Sequence, residues 1–323
     1  MIMKKSEKSL ARGLLLAACA LSAGLFTACS QDAETDVPAS GGTDVEVTAT
    51  VSDMVGALTR TASGGLNTAD TGFSAFSISG ASTEVAVKVD NGSGTYGDAY
   101  TYTLTGAKAI SAPTSKPQFP GTVTSVSVYG WYPANSGSQT FTVSTDQTTD
   151  LNYLASDILV AQPQTCTRAK SGSNWNVTAA NLTFQHVMSK VGFTVTPGTG
   201  VTLKKIEIVS AYPTVTLSQS GSTVTAAGSG TVTDIKLWDN TSTSVVTTYG
   251  VFAPKTYSSA TFLKVTAEVG GVEGVVNYTV NGNFEAGKVY TASLNVNATD
   301  VETGTVTLSD WSSDEAPSLE LGN

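Results

Sequence analysis

The chain has 323 residues, with 26 acidic side chains against 17 basic, one histidine, and a net charge of −9. That balance argues against nucleic-acid binding, and the length allows two domains that each bury a core without metal or disulfides. The three cysteines, Cys19, Cys29 and Cys166, make no disulfide framework.

In chain order, the first element reads as an export address. Lys4, Lys5, Lys8 and Arg12 form a basic start, Leu14 to Leu25 an apolar stretch, and Phe26-Thr27-Ala28-Cys29 resembles a lipobox. Residues 1–28 are expected to be a lipoprotein signal peptide and Cys29 the lipidated first residue of the mature protein. Losing Lys4, Lys5, Lys8, Arg12 and Glu7 leaves 13 basic against 25 acidic residues, a net charge of −12. The apolar stretch is shorter than the ~20 residues of a membrane-spanning helix, so attachment is expected through lipid, at roughly 0.8 kcal/mol per buried methylene. Cys166 then remains as the free thiol.

Ser30 to Asp36 is acidic and lacks long apolar side chains, as a solvated tether does. Next comes a period-two run: Val45, Val47, Ala49 and Val51 alternate with Glu46, Thr48 and Thr50. Arg60, the first arginine after the signal, follows it. The same alternation returns at 85–89, 100–104, 263–269 and 290–296, each run expected to bury one face and wet the other. Between the runs, Asn91 to Gly94, Ala134 to Gly137, Pro197 to Gly200, Gly270-Gly271 and Asn281-Gly282-Asn283 carry turn chemistry. An all-β architecture with two sandwiches follows. The pattern breaks at Gln162 to Ala179, which assigns a linker to 167–179 between an N-terminal domain at 61–166 and a C-terminal one at 180–323.

Catalytic chemistry has few footholds. His186 lies in a strand-like run without a G-x-S-x-G elbow, and Cys166 and the carboxylates show no metal-ligand spacing. Asp146, Asp150, Asp157, Asp234 and Asp239 are scattered, so no catalytic residue, metal or cofactor is assigned and the chain is not expected to be an enzyme. Tyr129, Trp131 and Tyr132 alternate as a strand does and are expected in the core with polar tips satisfied.

Five blocks in order resemble the fimbrillin family, the Mfa-like and FimA-like lipoprotein pilins of Bacteroides-type bacteria. They are Val128 to Pro133, Phe141 to Gln147, Ser156 to Ala161, Leu182 to Val191 and Phe284 to Thr291. The resemblance implies two tandem transthyretin-like β-sandwich domains and a structural subunit exported to the outer membrane, with Asp32, Glu34 and Asp36 similar to a surface-export signal. It further implies that an arginine-specific protease cuts between Arg60 and Thr61. The strand bearing Val45, Val47, Ala49 and Val51 then leaves, and a donor strand from another fimbrillin subunit enters its groove. The C-terminal Val306, Leu308, Leu319 and Leu321 form a candidate donor, interrupted by Asp314, Glu315 and Pro317. The alternative is a tip adhesin or unprocessed surface lipoprotein that binds a glycan or protein receptor on a host or bacterial surface, with an exposed aromatic patch near Trp131, Trp175 or Trp238.

Overall fold

The computed structural model describes residues 42–51, 59–60, 66–67, 82–106, 109–303, 305–307 and 318–319. Cys29, Thr61, Leu308 and Leu321 lie outside these residues. The chain is all-β, as its alternation requires. Its first half contributes β1 (Val47–Val51), β2 (Thr59–Arg60), β3 (Leu66–Asn67), β4 (Glu84–Val89), β5 (Tyr100–Gly106) and β6 (Ala109–Ser111). There follow β7 (Ser125–Tyr132), β8 (Thr140–Thr142), the short helix α1 (Asp150–Ala155), β9 (Leu159–Ser171), β10 (Asn174–Thr178) and β11 (Ala180–His186).

One sheet holds most of these strands, in the order β1-β11-β9-β7-β4-β5-β6, with β10 hairpinned onto β9. It curls until its end strands β1 and β6 approach each other. Val85, Val87, Tyr102, Val126, Val128, Leu182 and Phe184 fill the interior, each at a position its strand's period-two pattern assigns to the core. Apolar burial of this kind contributes roughly 25 cal/mol per Å².

The second half contributes β12 (Ser189–Pro197), β13 (Val201–Ala211), β14 (Thr214–Ser220), β15 (Thr223–Ser229), β16 (Thr233–Ser242) and β17 (Val246–Phe252). The chain continues through β18 (Lys255–Val269), β19 (Val272–Phe284), β20 (Val289–Val296), the helix α2 (Ala298–Thr303), β21 (Thr305–Thr307) and β22 (Ser318–Leu319). Two sheets result, β17-β12-β20-β22 and β16-β13-β18-β19-β21. Between them Phe252, Phe262 and Phe284 interlock, with ring centroids 4.4 to 5.7 Å apart. A three-stranded sheet, β15-β14-β8, recruits β8 from the first half of the chain.

Two sequence expectations are corrected. Residues 167–179 are not a linker: they are the end of β9 and all of β10, paired from Asn174↔Ser171 to Thr178↔Thr167 around Gly172 at φ +62°. Turn residues mark a reversal of the chain, and a hairpin reverses it as an interdomain connection does. The passage between the halves is the short step from β11 to β12 at Val187 and Met188. Asn281 to Asn283 is likewise no turn, because Gly282 and Asn283 pair with Tyr257 and Thr256 inside the long β18–β19 hairpin. The Asn-Gly turns at 91–94 and Gly270-Gly271 do form, with glycine φ values of +60° to +84°.

Candidate functional site

The site is the groove that β1 occupies. β1 lies parallel to β11, in register from Val47↔Ala180 to Val51↔Phe184, and the Ala180 amide donates to the Glu46 carbonyl at 2.9 Å. On its other side the residues just before β1 are clasped by a loop. The Val45 amide donates to the Pro117 carbonyl at 2.8 Å, the Phe119 amide to the Thr43 carbonyl at 2.9 Å, and Lys116 pairs with Asp44 at 3.3 Å. Residues 43–45 thus pair with the 117–119 loop and residues 46–51 with β11. Val45, Ala49 and Val51 point into the core and are buried, Val47 is half-buried, and Glu46, Thr48 and Thr50 face water. All four apolar residues of the expected removable strand thus lie in one segment, 45–51, with the face assignment that alternation predicts.

The neighbouring ladder explains why this strand matters locally. β11 pairs with β9 over Phe184 to His186, whereas β1 takes Ala180 to Phe184. Pro163 lies on β9 two residues past Ala161, where the pairing with β11 ends, and a proline has no N–H to give a ladder. β1 is thus the strand that pairs residues 180–183.

Two residues unrecognised by sequence reasoning build the groove. Arg168, buried at 3% exposure, donates Nε to the Val123 carbonyl at 2.8 Å and Nη2 to the Gly121 carbonyl. Its guanidinium also lies 4.9 Å from the Phe119 ring centroid and 4.5 Å from that of Trp175. It pins the loop that clasps Thr43 and Val45. Cys166 lies two residues earlier on the same face of β9, fully buried. Burial pushes its thiol up, and the backbone N–H dipoles of Glu46 and Ala180, on the two strands of the seam, pull the other way. The free thiol therefore sits beneath the β1–β11 seam. The alternation of Gln164, Thr165, Cys166, Thr167 and Arg168 carried this signal, obscured because arginine reads as a surface residue.

Arg60 lies on β2, which pairs with β3 through Thr59↔Asn67 and Arg60↔Leu66. A two-residue ladder is marginal and opens readily. The candidate donor residues are split between two strands. Val306 of β21 runs parallel to β19 opposite Tyr278, and Leu319 of β22 runs parallel to β20 opposite Ala292. The described parts of the tail thus lie on the outer strands of this chain's own second-half sheets.

His186 ends β11 as part of a buried ion cluster. Its Nδ1 lies 2.9 Å from Asp157 Oδ1, and Lys190 Nζ lies 2.7 Å from Asp157 Oδ2, all with side chains at most 2% exposed. Burial alone would raise the Asp157 carboxyl, yet His186 and Lys190 outweigh it and hold the group well below the usual carboxylate range. The cluster ties the turn between α1 and β9 to β11 and β12. The aromatic residues also pack: Trp131 is fully buried, with Nε1 donating to the Ala134 carbonyl at 3.3 Å, while Trp175 is covered by Arg168 and Trp238 lies half-buried against the core.

A model of the fimbrillin-like family matches residues 59–311 of the chain. No curated protein matches it in sequence. Among solved structures, a candidate cell adhesion protein of Bacteroides uniformis is similar over 68% of this chain and 88% of its own, at 17% identity and a TM-score of 0.47. A second such protein, from Parabacteroides distasonis, is similar over 80% of this chain and 90% of its own, at 12% identity and a TM-score of 0.49. The C-terminally truncated tip fimbrial protein Mfa3 of Porphyromonas gingivalis covers 62% of this chain with 78% of its own, at 14% identity and a TM-score of 0.37. With the family model spanning most of its length and an all-β fold beneath it, the chain belongs to the fimbrillin-like family.

Proposed function

We propose that this protein is the precursor of a bacterial pilus subunit, kept soluble by its own first strand and joined to its neighbours when another subunit's strand replaces it. The observation that carries the reading is β1 itself: an edge strand paired with β11, apolar inward, held at its start by the 117–119 loop, and followed in sequence by an arginine. Burial of Val45, Ala49 and Val51 opposes the entropy lost on ordering the segment, and the tether adds to the side of binding. Joined through residues 52–81, β1 sees its groove at an effective concentration on the order of mM. Cutting after Arg60 leaves every contact of β1 intact and removes that advantage, so the strand can leave and a new backbone can restore the ladder. The Cys29 lipid anchor and export to the outer surface belong to the same reading, with the fimbrium as final location and other fimbrillin-like subunits as partners. A tip adhesin using an aromatic platform gains no support from Trp131, Trp175 or Trp238, which pack inward or under Arg168.

Treating the purified full chain with an arginine-specific protease tests the reading. The wild type is expected to be cut after Arg60 and to form multimers on size exclusion, whereas Arg60→Ala stays intact and monomeric. Multimers of Arg60→Ala, or a cut wild type that stays monomeric with residues 43–51 still bound, would overturn it.

A further inference from the structure

Two glutamines from the first half of the chain do the same unusual thing at two strands of the second half. Gln147, fully buried, donates Nε2 to the Val251 carbonyl at 2.7 Å and accepts the Val251 amide on Oε1 at 2.8 Å. Gln162 donates Nε2 to the Val224 carbonyl at 2.9 Å and accepts the Val224 amide on Oε1 at 2.7 Å. A primary amide bound this way copies the paired N–H and C=O of a neighbouring strand. Each target lies on the last strand of a sheet, Val251 on β17 and Val224 on β15.

The surrounding chain is arranged to deliver both side chains. Around Gln147, the Lys236 amide donates to the Thr145 carbonyl and the Gln147 amide to the Lys236 carbonyl, both at 2.8 Å, so residues 145–147 also cover β16. One short segment thus blocks the terminal strands of both sheets on that side. Gln162 is aimed by a bulge: Val128 pairs with Gln164 and Gly130 with Ala161, leaving Gln162 and Pro163 opposite Tyr129 alone.

We propose that Gln147 and Gln162 are specificity residues for strand exchange, denying β17 and β15 to the exchange strand of a second copy so that exchange is confined to the groove of β1. The inference rests on the strand-exchange reading above. An uncovered terminal strand is a template for any extended chain, and a polymer built from exposed strands needs one acceptor per subunit to stay linear.

The test uses the full chain on an Arg60→Ala background, in which the groove of β1 stays filled. The probe is a synthetic peptide of residues 43–52, followed by hydrogen exchange and sedimentation. The parent is expected to remain monomeric and to gain no protection at 246–252 or 223–229. Gln147→Leu with Gln162→Leu, which keeps the bulk and removes the bonds, is expected to capture the peptide at those two strands and to self-associate about tenfold more tightly, the weight of two ordinary hydrogen bonds. Gln147→Glu, which still accepts from the Val251 amide, is expected to fall between. Folded variants that stay monomeric and bind no peptide overturn the proposal, as does loss of folding in every variant, since the glutamines are then packing elements alone. Cut wild-type protein serves as the control for the parent reading. If it fails to take the peptide at β11, strand exchange itself is wrong, whereas capture there with none at β17 or β15 in the variants removes this inference only.

Discussion

Asp157 shows how much one buried carboxylate can carry. Its two partners, His186 and Lys190, come from either side of the step between the halves, so losing its charge takes the carboxylate away from a buried lysine. Asp157→Asn is expected to destabilise the protein by about 3 kcal/mol, read as a shifted urea midpoint. The pH dependence follows from the depressed carboxyl. Its stabilisation is fully present above the unfolded-state value near ~4 and is lost as pH falls below it toward the folded value. Between pH 5 and pH 3 the gap between wild type and Asp157→Asn should therefore narrow. A gap that stays constant over that range would mean that the ion pairs contribute nothing. Val51 gives the matching test inside the groove. At 5% exposure an aspartate there would be a buried charge, so Val51→Asp should expel β1 from the uncut chain and let a thiol reagent reach Cys166, which is fully buried in the wild type. Val272→Asp, at a position 71% exposed, should leave Cys166 protected.

At the scale of elements, Gly287 tests the packing of the turn before β20 against the end of β11. Its φ is +69°, and an added Cβ would meet the His186 carbonyl oxygen at 2.8 Å. Gly287→Ala should cost about 2 kcal/mol and lower the melting temperature, and an unchanged melting temperature would show that β11 is not held there. Elements with strict alternation were legible in advance: β1, β4, β5 and β20 fall where Val45 to Val51, Val85 to Val89, Tyr100 to Leu104 and Tyr290 to Val296 placed them. Periodicity names a buried face and leaves the partner open, which is why nothing in Val45 to Val51 announced a parallel seat on β11. Turn chemistry was weaker still. Ser171-Gly172-Ser173 looked like a linker and closes a hairpin, while Asn281 to Asn283 looked like a turn and lies within a strand because Thr256 and Tyr257 pair with it. The loop at Lys116 to Phe119 and the covering segment at 145–147 depend on contacts distant in sequence, and no local pattern carries those.

Across the whole molecule, sheet ends are covered by pieces of the same chain. β1 completes the first sheet, residues 145–147 cover β16 and β17, Gln162 meets β15, and β21 and β22 lie on β19 and β20. A chain so covered has little reason to pair with another copy, and release of one strand changes that. Hydrogen exchange at Ala180 to Phe184, compared in the uncut chain, the freshly cut chain and the assembled multimer, tests this most directly. Slow exchange, then fast, then slow again is the predicted course, with residues 43–51 absent from the final multimer. Slow exchange throughout, with residues 43–51 still paired to β11 in the multimer, would contradict it.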